Sequence, residues 1–222
     1  MMRMNLYCAF LVVVRVDNMT PIFFRPVDPW FIAQPFGTNW VCINDSTREL
    51  VGVDHTTGLC PAGTRSVYSS MRGHNGLDIP TKRWQPVYAA REGTVVEVET
   101  EVSRGLGVGV YHDLGSYGKW KTRYWHLAAI NVHLGDRVET GQLLGYADST
   151  GYSTADHLHF EVKPQLAPNV NAEPDNGYFG SVDPLPLLLP TPAWKVNTLR
   201  TTMNIFAGAL EKLADFLRYF KL

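Results

Sequence analysis

Residues 154–162, TADHLHFEV, carry two histidines one residue apart, His157 and His159, in a segment that reads as a β-strand. Side chains alternate between faces along a strand, so these two share a face, roughly 6–7 Å apart by the rise per residue, while Leu158 and Phe160 take the other. Two imidazoles on one face can share one small target. A second cluster lies upstream in GHNGLDIP, residues 73–80, where His74 and Asp78 are four apart. Gly73, Gly76 and Pro80 argue against a helix there, but a tight turn running into a strand can bend both side chains toward one point. Imidazole nitrogen and carboxylate oxygen are both good zinc ligands. His74, Asp78 and one imidazole of the downstream pair make three protein ligands with a fourth position open, which is the arrangement of catalytic rather than structural zinc. By spacing alone that imidazole is His157, His159 or both. The plainer alternative is a hydrogen-bonded turn and two half-exposed rings.

The elements that must position these residues follow from the rest of the chain. With 222 residues it can form one sizeable domain plus appendages. An apolar fraction of 45% and a charged fraction of 18% describe an ordinary globular protein. The net charge of −1, with no run of like charges, argues against nucleic acid as a partner. The 19 glycines and 14 prolines imply many turns and a β-rich architecture. From Gly73 to about Val162 short strand-like segments recur between turn signals, at the spacing of an antiparallel sheet system. The expected fold class is therefore all-β, with the domain spanning residues 21–190. Within it, residues 41–72 are polar and aperiodic and read as a long loop or insertion with at most a short hairpin.

Both ends differ from this pattern. Residues 1–20 hold a nine-residue apolar run, Leu6 to Val14, which suits a weak signal-peptide core, a plain strand or a stretch upstream of a start at Met19. Residues 191–222 read as a linker and a helical tail, in which Phe206, Leu210, Leu213, Leu217 and Phe220 form an apolar stripe at 4-3-4-3 spacing. The expectation is that this helix packs on its own domain. Its mixed-sign polar face weakens a membrane-surface reading. Of the three cysteines, Cys42 and Cys60 bracket the insertion and could close a disulfide in an oxidising compartment; two free thiols would be as ordinary.

Taken together the motifs resemble the lysostaphin-type zinc endopeptidases that cut peptidoglycan peptides. The matching segments are His74…Asp78, YWHL at 124–127 and HLHFE at 157–161, in the family's order. QPFG at 34–37, PVYAAREGTV at 86–95, NVHLGDRVETGQLLGYADSTGYST at 131–154 and SVDP at 181–184 support them. The resemblance covers roughly residues 34–185 and leaves out the insertion, the first twenty residues and the tail. It implies antiparallel sheets of the duplicated hybrid motif type around an open cleft. It also implies one zinc ion per chain held by His74, Asp78 and His159, with His126 and His157 as catalytic residues. The implied reaction is hydrolysis of peptide bonds in peptidoglycan stem peptides or cross-bridges, by a wall-remodelling enzyme or a phage lysin, outside the cytoplasm. The alternative within the same fold is a non-catalytic peptidoglycan-binding or amidase-activating module.

The chain departs from the family's glycine-rich approach to HLHFE, carrying Asp148, Ala155 and Asp156 there. Ala155 lacks glycine's access to positive φ, so the loop is expected to run differently. Tyr124, Trp125 and Tyr152, and more weakly Tyr117, are candidates to line a substrate groove. His55, His112 and His133 read as structural or solvated. GLGVG at 105–109 lacks the spacing of a phosphate loop and reads as a flexible hairpin. VHLGDRVETGQLLG, residues 132–145, also resembles biotinyl and lipoyl carrier domains, but no lysine occupies a hairpin tip.

Overall fold

The computed structural model describes residues 21–54 and 56–219, with side chains up to Lys212. His55, Phe220 and the possible leader in residues 1–20 therefore lie outside the described residues, as do the side chains of Leu213 and Leu217.

The chain enters through β1 (Phe23–Arg25). It then builds a small sheet of β2 (Val41–Asn44), β3 (Leu50–Gly52) and β4 (Thr64–Ser66), with β2 in the middle. The segment read as an aperiodic loop is thus a three-stranded antiparallel sheet, and Cys42 is joined to Cys60 across 18 residues of it. Strands of three or four residues are too short to show a period, which is why composition pointed to a loop. Asn44 explains the first turn: its side-chain oxygen accepts from the Ser46 and Thr47 backbone N–H groups.

The main sheet holds β5 (Leu77–Pro80), β6 (Pro86–Tyr88), β7 (Gly93–Glu101), β8 (Gly105–Asp113) and β9 (Lys119–Ile130). It is completed by β10 (Arg137–Val138), β11 (Leu143–Ala147), β12 (His157–Ala167) and β13 (Val170–Asn171). All its pairings are antiparallel. Strands β7, β8 and β9 form the continuous middle, and GLGVG belongs to β8 rather than to a flexible tip. One face buries Leu77, Ile79, Tyr124, Leu127, Leu158 and Phe160 in the core, as strand alternation requires of β12.

Strand β9 changes partners along its length. Lys119–Trp125 pair with β12, whereas Leu127–Ile130 pair with β11. The change falls at His126. There β9 carries an extra residue against β8: Tyr124 pairs with Val108 and Leu127 with Leu106, so Trp125 and His126 oppose Gly107 alone. This bulge puts His126 at φ 63°, in the left-handed region that a non-glycine residue rarely enters. The sheet splits at that point, and the split opens the cleft.

A last strand, β14 (Leu188–Pro192), pairs in parallel with β1, and α1 (Ala193–Tyr219) follows directly. Pro190 and Pro192 therefore sit in a strand, one paired only with β1. The expectation that the helix packs on its own domain fails beyond its first turns over the part whose side chains are described. Ala193 is buried, Asn197 reaches the Gly141 carbonyl and Arg200 pairs with Glu139 at 3.2 Å. Leu199 is already exposed, and past these contacts so are Met203, Phe206 and Leu210. Amphipathic spacing reports that a helix has an apolar face; it carries no information about where that face is directed. No helix among the described residues is long and apolar enough to cross a membrane.

Candidate active site

Strands β5 and β12 pair in a register that sets Asp78 directly opposite His159, and His157 opposite Pro80. His159 in turn faces Trp125 of β9. His74 enters from the turn before β5, where its Nδ1 lies 3.1 Å from the Pro35 carbonyl. That bond leaves the His74 Nε2 lone pair aimed at the site. His74 Nε2 is 3.1 Å from Asp78 Oδ1 and 2.8 Å from His159 Nδ1, and His159 Nδ1 is 2.9 Å from Asp78 Oδ1. Three donors about 2.1 Å from one tetrahedral ion stand about 3.4 Å apart. The observed triangle is a few tenths of an ångström tighter, its atoms are two imidazole nitrogens and a carboxylate oxygen, and the donor set fits zinc.

The backbone has been cleared to allow this. A Cβ on Gly76 would sit 2.6 Å from the Phe160 carbonyl oxygen and 2.9 Å from the His159 ring. Only glycine lets the turn carrying His74 approach β12 this closely.

His126 and His157 stand beside the triangle, their ring centroids 4.5 Å apart. Each has its Nδ1 against a backbone carbonyl of the loop before β12: Thr150 at 2.6 Å for His126, Ala155 at 2.8 Å for His157. In the neutral tautomer Nδ1–H donates to these carbonyls and Nε2 carries the lone pair. His157 Nε2 is 3.5 Å from Asp78 Oδ1. Ala155 has no positive φ in this loop, where Gly151 takes the left-handed conformation.

The charges of the site are coupled. Burial works to raise Asp78, but the His74 and His159 imidazoles outweigh it and hold the carboxyl well below its ordinary range. Burial also opposes charge on His159, yet hydrogen bonding to Asp78 and Glu161 raises it to about 9. His126 goes the other way: burial, then the neighbouring imidazoles of His157 and His159, push it down to about 3. Adjacent rings are thus driven apart, one toward keeping a proton and one toward staying a free base.

A cavity of about 580 Å³ opens over these five residues. Its far wall is the insertion, through Trp40, Val41, Leu50, Tyr68 and Met71. Arg48, on the β2–β3 turn, hydrogen-bonds the Tyr152 hydroxyl and lies over its ring at 5.5 Å. The insertion and the loop before β12 therefore meet across the cleft. Of the three aromatic candidates for its lining, only Tyr152 reaches it. Tyr124 is wholly buried on the core face, where its hydroxyl accepts from the Ala90 N–H at 2.9 Å. Trp125 is buried on the opposite face beneath the Arg104 and Arg123 guanidinium groups, at 4.7 and 4.5 Å. The bulge at His126 is the physical reason: it turns His126 into the cleft and leaves the two residues before it packed on the two faces of the sheet. Tyr117 is exposed and outside the cavity lining.

Sequence reasoning missed Tyr68, whose ring lies 5.5 Å from that of His74 and whose hydroxyl is pushed up by burial and then by the charge of Asp78. Nothing in its neighbourhood shows a period, so only tertiary contact identifies it. His112 is buried between the Glu92 carbonyl and Thr122, and His133 is exposed in a turn; neither approaches the cleft.

Residues 72–172 match Peptidase family M23. Lysostaphin of Staphylococcus simulans is 34% identical over 159 residues, covering 65% of this chain and 30% of that protein. The glycyl-glycine endopeptidase ALE-1 of Staphylococcus capitis is 37% identical over 116 residues, covering 52% of this chain and 29% of that protein. The peptidoglycan DD-endopeptidase ShyB of Vibrio cholerae is 36% identical over 107 residues, covering 48% of this chain and 24% of that protein. The chain thus spans less than a third of the length of these relatives. The solved catalytic domain of lysostaphin from Staphylococcus simulans is 31% identical, covering 51% of this chain and 77% of that one, with a TM-score of 0.43.

Proposed function

Since this chain belongs to peptidase family M23, we propose that it is a zinc-dependent endopeptidase hydrolysing peptide bonds in peptidoglycan stem peptides or cross-bridges. One observation carries the reading: two imidazoles with their Nδ1 atoms tied to backbone carbonyls stand beside a compact His–Asp–His triangle in one cavity.

His74 Nε2, Asp78 Oδ1 and His159 Nδ1 would hold the ion. Bound zinc supplies acidification of a water to a pKa near about 7 and polarisation of the scissile carbonyl. His126 and His157 present their Nε2 lone pairs to the same space and are placed to accept a proton from the attacking water. Once protonated, either ring donates to the developing oxyanion or to the departing amine. Burial of His126 favours its free-base form, which suits the accepting role and leaves the donating role to His157, whose side chain is 14% exposed. The wall formed by the insertion bounds one side of the cleft and narrows the approach.

The relatives named as peptidoglycan and glycyl-glycine endopeptidases support the substrate class. The Cys42–Cys60 disulfide supports action outside the reducing cytoplasm, at the cell wall.

The test compares the full chain with His159→Ala and His157→Ala, measuring bound zinc and new amino termini released from purified peptidoglycan. The expected result is one zinc and cleavage for the unaltered chain, loss of both for His159→Ala, and metal without cleavage for His157→Ala. An unaltered chain that takes up no zinc, or takes it up and releases nothing, overturns the reading in favour of a wall-binding module.

A further inference from the structure

The residues of β12 alternate, and the face that carries His157 and His159 continues with Glu161, Lys163 and Gln165. Glu161 is completely buried, although a carboxylate is among the side chains least often found there. Its two oxygens have different surroundings. Oε2 takes Lys163 Nζ at 3.1 Å, Ser181 Oγ at 3.2 Å and Arg123 Nη1 at 3.6 Å. Oε1 faces His159 Nε2 at 3.4 Å, with Arg104 Nη1 farther off at 3.7 Å. Both Oε1 and His159 Nε2 are buried, and neither has a hydrogen-bond partner among the described residues; the closest ion-pair contact of each is the other, 3.4 Å away.

We propose that Glu161 is the positioning residue of the metal centre: it holds the His159 ring by Nε2–H so that Nδ1 is presented to zinc. The proposal rests on the metal reading above and adds a residue that does not touch the ion. His159 Nδ1 is the atom of the triangle, so the ring must carry its proton on Nε2 when it ligates. A histidine in the other tautomer would turn an N–H toward the ion. The carboxylate at Nε2 disfavours that tautomer and restricts rotation of the ring, as partners behind metal-bound histidines commonly do. Lys163, Arg123 and Ser181 hold the carboxylate itself in place from the other side, which accounts for the burial of these charged groups so close to the site.

Glu161→Gln separates this role from bulk stability. The amide oxygen takes the Oε2 place, where three donors converge, and the amide N–H₂ is left facing the ring N–H of His159. The variant keeps the side-chain volume and the cation contacts while removing the acceptor. Ser181→Ala is the matched control, since it perturbs the same buried carboxylate without facing His159. The experiment measures zinc affinity by chelator competition with zinc chloride, together with circular dichroism of each variant. The ring protons of His159 are recorded by NMR in the zinc-loaded unaltered chain. Glu161→Gln should stay folded and bind zinc on the order of 10–100-fold more weakly, with Ser181→Ala within about threefold of the unaltered chain. The unaltered chain should show a downfield, slowly exchanging Nε2–H. A folded Glu161→Gln with unaltered affinity, an equal loss in both variants, or a His159 that carries its proton on Nδ1 overturns the proposal. Should Glu161→Gln fail to fold, the ring-proton spectrum decides alone. Zinc binding that depends on Glu161 in a chain that cleaves nothing leaves this proposal standing and removes only the endopeptidase reading.

Discussion

Asp78 and His159 stand directly opposite each other across the β5–β12 ladder, and their atoms Oδ1 and Nδ1 are 2.9 Å apart. Two candidate ligands 81 residues apart in sequence are therefore fixed by one backbone register. A one-residue slip would turn one of them to the core face, where Ile79 and Leu158 now pack.

This dependence on register makes Gly76 sensitive. In Gly76→Ala the new methyl meets the Phe160 carbonyl and the His159 ring, so β5 must move away from β12. The expected outcome is a loss of about 1–3 kcal/mol in stability, typical of overpacking, and a larger proportional loss in zinc affinity. Melting and zinc titration check it; an unchanged zinc affinity would show that the triangle tolerates displacement of β5.

On the proposed reading His126 transfers protons and does not ligate. Asparagine tolerates the left-handed backbone that the bulge requires, so His126→Asn should fold and bind zinc. Its kcat on a peptidoglycan peptide should fall roughly 10²–10⁴-fold, the usual range for a lost acid–base group. Steady-state kinetics beside metal analysis reads both. Retained kcat would remove His126 from the chemistry.

His112 gives a pH dependence far from the cleft. Burial, which the Glu92 carbonyl only partly offsets, pushes it down to about 4. The unfolded chain takes up this proton near pH 6.5 and the folded one only near 4, so its contribution is full above about 6.5 and is lost as pH falls toward 4. At about 1.4 kcal/mol per pH unit the loss approaches roughly 3 kcal/mol. Urea unfolding at pH 7 and 4.5, with chelator present throughout, should show a smaller drop in His112→Asn than in the unaltered chain. Equal drops would mean that His112 does not remain neutral in the folded state.

The disulfide ties the insertion that walls the cleft. Its loop of 18 residues corresponds to roughly 3 kcal/mol in the chain-entropy account. Replacing Cys42 and Cys60 together by alanine should lower the melting temperature and raise KM for a peptide substrate, because Arg48 and Tyr152 then meet across the cleft less often. Unchanged KM would assign the bridge to stability alone.

Local chemistry made much of this protein legible. The alternation in HLHFE put both histidines on one face and Leu158 and Phe160 on the other, because a strand's period of two is a property of the backbone itself. The glycines around His74 marked a turn for the same kind of reason, as steric freedom at Cα is local. The many turn signals implied antiparallel β-structure, and the main sheet is antiparallel throughout.

What depends on contact between distant segments was decided only in three dimensions. Tyr124 and Trp125 looked like groove residues, yet the bulge that turns His126 into the cleft leaves them packed on opposite faces of β9. The insertion's strands are too short to display a period, so their sheet exists only through pairing and the Cys42–Cys60 link. The tail's stripe announced a helix but not its direction, and Leu199, Met203 and Phe206 remain exposed. Sequence by itself determined which residues could ligate and which faces they share. Tertiary structure decided which atoms meet, because register, strand exchange and the burial of Glu161 behind His159 are set by partners that no local stretch of chain contains.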